Sequence, residues 1–254
     1  MEAFIKSLVR DAGREALSRF RTHRRLRNKA NTPWSAVTDA DIAVEKMMKQ
    51  RILKKYPTHG IIGEETGTHR TESEYVWILD PIDGTLNYST GVPLFGCMAA
   101  LAYKKNVILS AIHLPVTDEL FFAKAGKGTY LNEKRVRCSN TSLFERSIGC
   151  GFSSIRMRTA PFIRRIFKAI GQEQVVFNSF GAISVNAAYV ACGRRDWIVA
   201  PHGELHDFAP VSLILKEAGC KVVDALGKDW KYGAQGIVAT NPVLSTRLVK
   251  YTRS

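Results

Sequence analysis

Apolar positions near the start of the chain recur at helical spacing. Phe4, Leu8, Val9, Ala12, Ala16, Leu17 and Phe20 form one stripe, which predicts a helix over about residues 4–22. A second helix is predicted from about Asp41 through Met47–Ile52, ending before Pro57. The texture then changes to short apolar runs. Ile61 and Ile62 read as a strand opening into Gly63-Glu64-Glu65-Thr66, and Val76–Leu79 read as the next strand after a polar loop. Strands follow at Gly96–Tyr103, Val107–Leu114 and Glu119–Ala123. Gly126–Gly128 turns the chain into a short return at Tyr130–Leu131, and Asn106 and Pro115–Asp118 supply the other turns. This is the pattern of an antiparallel meander.

Beyond about residue 145 strands and helices alternate. Ser147–Phe152, Val175–Phe177, Trp197–Ala200, Lys221–Val223 and Gly236–Thr240 read as strands. Pro161–Ile170, Ala182–Cys192 ending at Gly193, and Phe208–Ala218 closed by Gly219 read as helices. A last helix follows, with Asn241 as N-cap and Pro242 in its first position. The expected fold class is therefore α+β passing into α/β. Two subdomains, 1–145 and 146–254, share a cleft.

Acids stand where core strands surface. In Trp77-Ile78-Leu79-Asp80-Pro81-Ile82-Asp83-Gly84-Thr85 an apolar strand runs into two carboxylates. Pro81 sets its own φ and keeps Asp80 out of the helical region, so the chain is expected to leave the strand extended and turn sharply. Asp80 and Asp83 then converge. Two close carboxylates repel, and burial worsens the conflict unless a cation resolves it. Hard oxygen ligands with no neighbouring His or Cys suit Mg²⁺. Taken alone, an Asp pair beside Gly is also ordinary turn chemistry. Glu64 and Glu65 repeat the pattern, and Asp207 opens a predicted helix, where capping is the simple role.

Composition narrows the setting. The 254 residues are 45% hydrophobic and 24% charged, enough for a sizeable core, with no apolar run of about 18 residues to span a membrane. Five scattered cysteines form no CxxC pair, which favours a reducing cytoplasm over a disulfide framework. The basic, amphipathic start carries Glu2, Asp11 and Glu15 and lacks an apolar signal core, so it reads as a folded helix. Net charge is +14, with basic clusters at Arg19–Lys29 and Arg156–Lys168. Solvated helix faces account for each, while the total charge favours polyanionic partners. No nucleic-acid signature interleaves them with aromatics.

In order, Ile62-Gly63-Glu64-Glu65-Thr66, the WILDPIDGT stretch continuing to Tyr88, and His206-Asp207-Phe208 through Gly219 resemble the signatures of the inositol monophosphatase family. The resemblance spans roughly Phe4 to Lys250. It implies a layered α-β-α-β-α sandwich and a Mg²⁺-dependent, lithium-sensitive phosphomonoesterase, cytoplasmic and homodimeric. It assigns Glu64, Asp80 and the Ile82 carbonyl to a first Mg²⁺, and Asp80, Asp83 and Asp207 to a second. Glu64 also serves a weaker third ion. Thr85 would orient the attacking water with Asp41 as its partner, Gly84 and Thr85 would offer N–H groups to the phosphate, and Glu65 would support the site. Asp83, Gly84, Thr85, Ile183, Ala200 and Asp207 fall at substrate-binding positions. Paired metals about 3.5–4 Å apart suit this chemistry, with no covalent nucleophile.

Two departures matter. His206 replaces a packing aromatic of the third signature. Ala200 stands where inositol-specific members use a glutamate to grip hydroxyls, with Glu204 and His202 as substitutes on the same loop. Losing such a group relaxes selectivity. The expected substrate is a small phosphorylated polyol, inositol monophosphate by default. Fructose-1,6-bisphosphate, histidinol phosphate and 3′-phosphoadenosine 5′-phosphate are the alternatives. A regulatory nucleic-acid or transcription-complex binder is the rival of another class, marked by RNA affinity that falls steeply with salt.

Overall fold

The computed structural model describes residues 1–20, 26–28, 36–151, 168, 171–172 and 175–253. The first apolar stripe forms helix α1 (Glu2–Arg19), which buries Phe4, Ile5, Leu8, Val9, Ala12 and Ala16 and stops short of the expected end at residue 22. Burying each larger aliphatic side chain stabilises the fold by about 1.5–3 kcal/mol. Strands β1 (Leu26–Asn28) and β2 (Ala36–Thr38) pair antiparallel, and β2 leads directly into helix α2 (Asp39–Lys55). The start of α2 is locked by a reciprocal cap between Thr38 and Asp41. Helices α1 and α2 pack side by side on one face of the larger sheet.

That sheet holds β3 (Gly60–Gly63), β4 (Thr68–His69), β5 (Tyr75–Asp83), β6 (Gly96–Tyr103), β7 (Asn106–Leu114), β8 (Glu119–Lys124), β9 (Gly128–Leu131) and β10 (Lys134–Val136). Its order is β10-β9-β8-β7-β6-β5-β3-β4, antiparallel except between β3 and β5. The expected meander is β6–β9, extended by β10. One expectation is corrected. β5 does not end at Leu79 but runs on through Asp83, because the ladder to β6 absorbs Pro81 in a bulge. Asp80 pairs with Met98 and Asp83 with Gly96, so Pro81 and Ile82 together stand opposite Cys97. The short helix that follows is α3 (Thr85–Thr90).

The second sheet is formed by β11 (Ile148–Gly151), β12 (Val176–Asn178), β13 (Trp197–Ala200), β14 (Lys221–Val223) and β15 (Ile237–Thr240), in order β12-β11-β13-β15-β14. Helices α4 (Ile183–Ala191) and α5 (Leu205–Glu217) lie between the two sheets. Helix α6 (Pro242–Arg253) covers the outer face of the second, with the Leu244 N–H capped by Asn241 Oδ1 at 3.0 Å as expected. The layers therefore run α-β-α-β-α. The central layer shares one core: Met98, Ile112 and Phe121 from the first sheet, Val185, Ala188, Val211 and Ile214 from the helices, and Ile198 and Ala239 from the second sheet. The helix expected at Pro161–Ile170 and most of both basic clusters lie outside the described residues.

Candidate active site

Three parts of the chain deliver acids to one place. The bulge in β5 turns Asp80 and Asp83 toward the same side, whereas a regular strand would keep residues three apart on opposite faces. Asp207 comes from the second half, as the third residue of α5. It lies inside the first turn and does not itself cap the helix; Glu204 is the capping position, and its N–H donates to Asp207 Oδ2 at 2.6 Å. One carboxylate oxygen from each of Asp80, Asp83 and Asp207 lies within 4.8 Å of the others. Glu64 joins from the loop after β3. Its charge raises the proton affinity of Asp80 more than those of Asp83, Asp207 and Asp41 do, and is second only to burial.

Asp80 is almost fully enclosed, and its Oδ1 has no hydrogen-bond partner among the described residues. Burial first, then the neighbouring acids, push its carboxyl well above the usual range. Burial also raises Asp83 to about 6, against opposing bonds from Ser184, whose N–H donates to Oδ2 at 2.6 Å and whose hydroxyl donates to the same oxygen. The Ile183 backbone bonds it too. Asp207 is raised by burial, partly offset by His206. An orphaned buried oxygen among four crowded carboxylates is what a divalent-cation site requires, and an all-oxygen donor set selects hard ions. The residues fit the group.

Beside the cluster, Thr85 Oγ1 lies 3.2 Å from Asp41 Oδ1 and 3.1 Å from the Ile82 carbonyl. A hydroxyl has one proton to give, so Thr85 donates to one of these oxygens at a time and keeps its lone pairs as acceptors. Asp41 Oδ2 accepts from the Thr38 N–H at 2.8 Å and from the Thr38 hydroxyl. Burial still lifts the Asp41 carboxyl to about 6. Gly84 caps α3 at φ +90°, a left-handed conformation that glycine adopts freely, and its amide and those of the first turn have no intrahelical acceptors. A Cβ there would stand 2.8 Å from Ala182 Cβ.

The structure thus brings together Asp80, Asp83 and Asp207 with Glu64 nearby, links Asp41, Thr85 and Ile82, and sets Ile183 against Asp83. Ala200 ends β13, with its methyl in the central core. His206 is more than a wall. Its Nε2 is 3.9 Å from Glu64 Oε2 and 4.0 Å from Asp207 Oδ2, and its Nδ1 is 3.9 Å from Glu204 Oε2. Sequence reasoning missed Ser184 and Glu45. Glu45 is buried and accepts the N–H groups of Glu65 and Thr66. Its spacing of four from Asp41 on one helix was the available signal.

The profile of the inositol monophosphatase family matches residues 1–254. The chain belongs to the inositol monophosphatase family. With that membership comes the enzyme class, a hydrolase of phosphoric monoesters. The chain is 34% identical to a protein of Aquifex aeolicus named fructose-1,6-bisphosphatase/inositol-1-monophosphatase, over 82% of this chain and 78% of that one. It is 32% identical to the putative Nus factor SuhB of Neisseria meningitidis, over 84% of this chain and 83% of that one. Among solved structures, the extragenic suppressor protein suhB of Bartonella henselae superposes with a TM-score of 0.90 at 27% identity, covering 98% of this chain and 96% of that one. The α-β-α-β-α layering is the fold of the inositol monophosphatase family, and in this chain the acidic cluster lies where the bulged strand β5 meets α5.

Proposed function

We propose that the protein hydrolyses a small phosphorylated polyol with two to three Mg²⁺ ions held by its acidic cluster. The observation that carries this reading is the buried Oδ1 of Asp80, without a hydrogen-bond partner among the described residues, beside Glu64, Asp83 and Asp207. Glu64, Asp80 and the Ile82 carbonyl would hold one ion; Asp80, Asp83 and Asp207 a second; and Glu64 also a weaker third. Bound there, Mg²⁺ would screen the phosphate oxygens, make a water more acidic and stabilise the departing alkoxide. Thr85 passes its proton toward Asp41 and accepts from the attacking water, fixing its direction. Gly84 and Thr85 offer backbone N–H groups to the phosphate, and Asp83 and Asp207 face the sugar side. Glu65 supports the loop.

Inositol monophosphate is the default substrate. The absence of a carboxylate at Ala200 favours a broader range that includes fructose-1,6-bisphosphate, histidinol phosphate and 3′-phosphoadenosine 5′-phosphate, and the fructose-1,6-bisphosphatase name of the Aquifex relative supports it. Lithium sensitivity, a cytoplasmic setting and a homodimer accompany this reading from the family resemblance. The Nus-factor name of the Neisseria relative and the net charge of +14 favour a second role at a transcription complex, marked by salt-sensitive RNA binding.

A phosphate-release panel over these substrates, with and without Mg²⁺, tests the main reading. Turnover is expected only with Mg²⁺, and Asp80→Asn is expected to lower it by a factor on the order of 10³ or more while the far-ultraviolet circular dichroism is unchanged. Mg²⁺-dependent turnover at the wild-type rate in that folded variant sinks the reading.

A further inference from the structure

Glu45 is a carboxylate with no accessible surface, in a helix whose other buried residues are Ala40, Asp41, Val44, Met48 and Ile52. A buried charge persists only where donors replace water. Three do so here. The Glu65 N–H donates to Oε2 at 2.7 Å, and the Thr66 N–H and hydroxyl donate to Oε1 at 2.8 and 2.5 Å. One turn further along α2, Lys49 Nζ stands 3.3 Å from Glu45 Oε1 and donates to the Gly67 carbonyl at 2.6 Å. The contact is close enough that a Cβ on Gly63 would stand 2.2 Å from Glu45 Oε1. Helix α2 therefore grips residues 63–67 along their length, immediately on both sides of Glu64.

The same helix carries Asp41 four residues earlier, bonded to Thr85. Asp41 and Glu45 share a face of a capped helix, so the distance between the Thr85 hydroxyl and the Glu64 loop is set by one rigid rod. A loop held only by its ends would let the Glu64 carboxylate move away from three like charges.

We propose that Glu45 is a positioning residue that holds the Glu64 loop against the repulsion of Asp80, Asp83 and Asp207 and so sets the divalent-ion affinity of the cluster. It rests on the reading of that cluster as a Mg²⁺ site. Partners that orient metal ligands are worth about 10–100-fold in affinity when removed. Glu45→Gln keeps the side chain's shape but points an NH₂ at one of the loop donors.

The test is Mn²⁺ binding by calorimetry to the wild type, Glu45→Gln, Glu64→Gln and the double variant, with thermal melts of the metal-free proteins. Glu45→Gln is expected to weaken Mn²⁺ binding about 10-fold or more, and the double variant to bind no more weakly than Glu64→Gln alone. Thr66→Val removes one donor without adding a clash. It is expected to weaken binding several-fold, and it carries the test if Glu45→Gln does not fold. Wild-type affinity in folded Glu45→Gln or Thr66→Val, with only the melting temperature lowered, overturns the proposal, as does full additivity with Glu64→Gln. Failure of the wild type to bind Mn²⁺ at all overturns the cluster reading itself, so the two failures are distinct.

Discussion

At the scale of single residues the site is defined by charges that the fold alone does not reconcile. The raised carboxyls of Asp41 and Asp83, each about 6 in the folded chain against an ordinary 3.8, set a sign. The folded state holds these protons more tightly than the unfolded chain, so their contribution to stability is fully present below about pH 3.8 and is lost as pH rises through about 6. Each unit of such a shift is worth about 1.4 kcal/mol. Metal-free protein is therefore expected to melt at progressively lower temperature between pH 4 and pH 7, and saturating Mg²⁺ to remove most of that slope while releasing protons. Calorimetric titration in buffers of different ionisation enthalpy counts those protons. A melting temperature that stays flat with pH in chelator would mean that the carboxylates are not in conflict.

At the scale of elements, the geometry depends on one irregularity and one turn. The bulge in β5 gives Asp80 and Asp83 a common direction, and Gly84 then starts α3 in a conformation costly to any other residue. Gly84→Ala puts a methyl against Ala182 and 3.1 Å from the Leu94 carbonyl. It is expected to cost on the order of 1–3 kcal/mol in stability and to raise KM for the phosphate substrate more than it weakens Mn²⁺ binding. Denaturant melts and steady-state kinetics check both, and an unchanged KM would remove Gly84 from phosphate recognition. Much of this was legible in the sequence, because Asp80, Asp83, Gly84 and Thr85 are contiguous and the acids interrupt apolar runs. The course of β5 was not. Pro81 normally punctuates a strand, and only pairing with β6, formed by residues well downstream, shows that a bulge has taken it in. Ser184 and Glu45 were hidden for the same reason. Their roles are hydrogen bonds to residues 101 and 20 positions away; local pattern carries no trace of the first, and the four-residue spacing of Glu45 from Asp41 marks a shared helix face without naming its partners.

At the scale of the whole molecule, the site joins parts that are distant along the chain. Asp80 and Asp83 come from the first sheet and Glu64 from the loop after its strand β3, whereas Asp207 and the Ser184 that steadies Asp83 come from the two helices of the central layer. The core beneath them is equally shared, since Met98, Ile112 and Phe121 pack with Val185, Val211 and Ile198. A boundary near residue 145 would divide both the core and the cluster. The full chain is therefore expected to unfold in one cooperative transition, and an ion that binds only the native state raises its midpoint by mass action. At about 100 times its dissociation constant the gain is about 2.7 kcal/mol, or roughly 5–10 °C for a chain of this size. A fragment of residues 1–145 would expose the Met98–Ile112–Phe121 face and lack Asp207. It is expected to bind hydrophobic dye and to show no comparable Mg²⁺ shift. Two separate calorimetric transitions in the full chain, with Mg²⁺ raising only one, would show instead that a single half holds the ions and that the central layer is a seam.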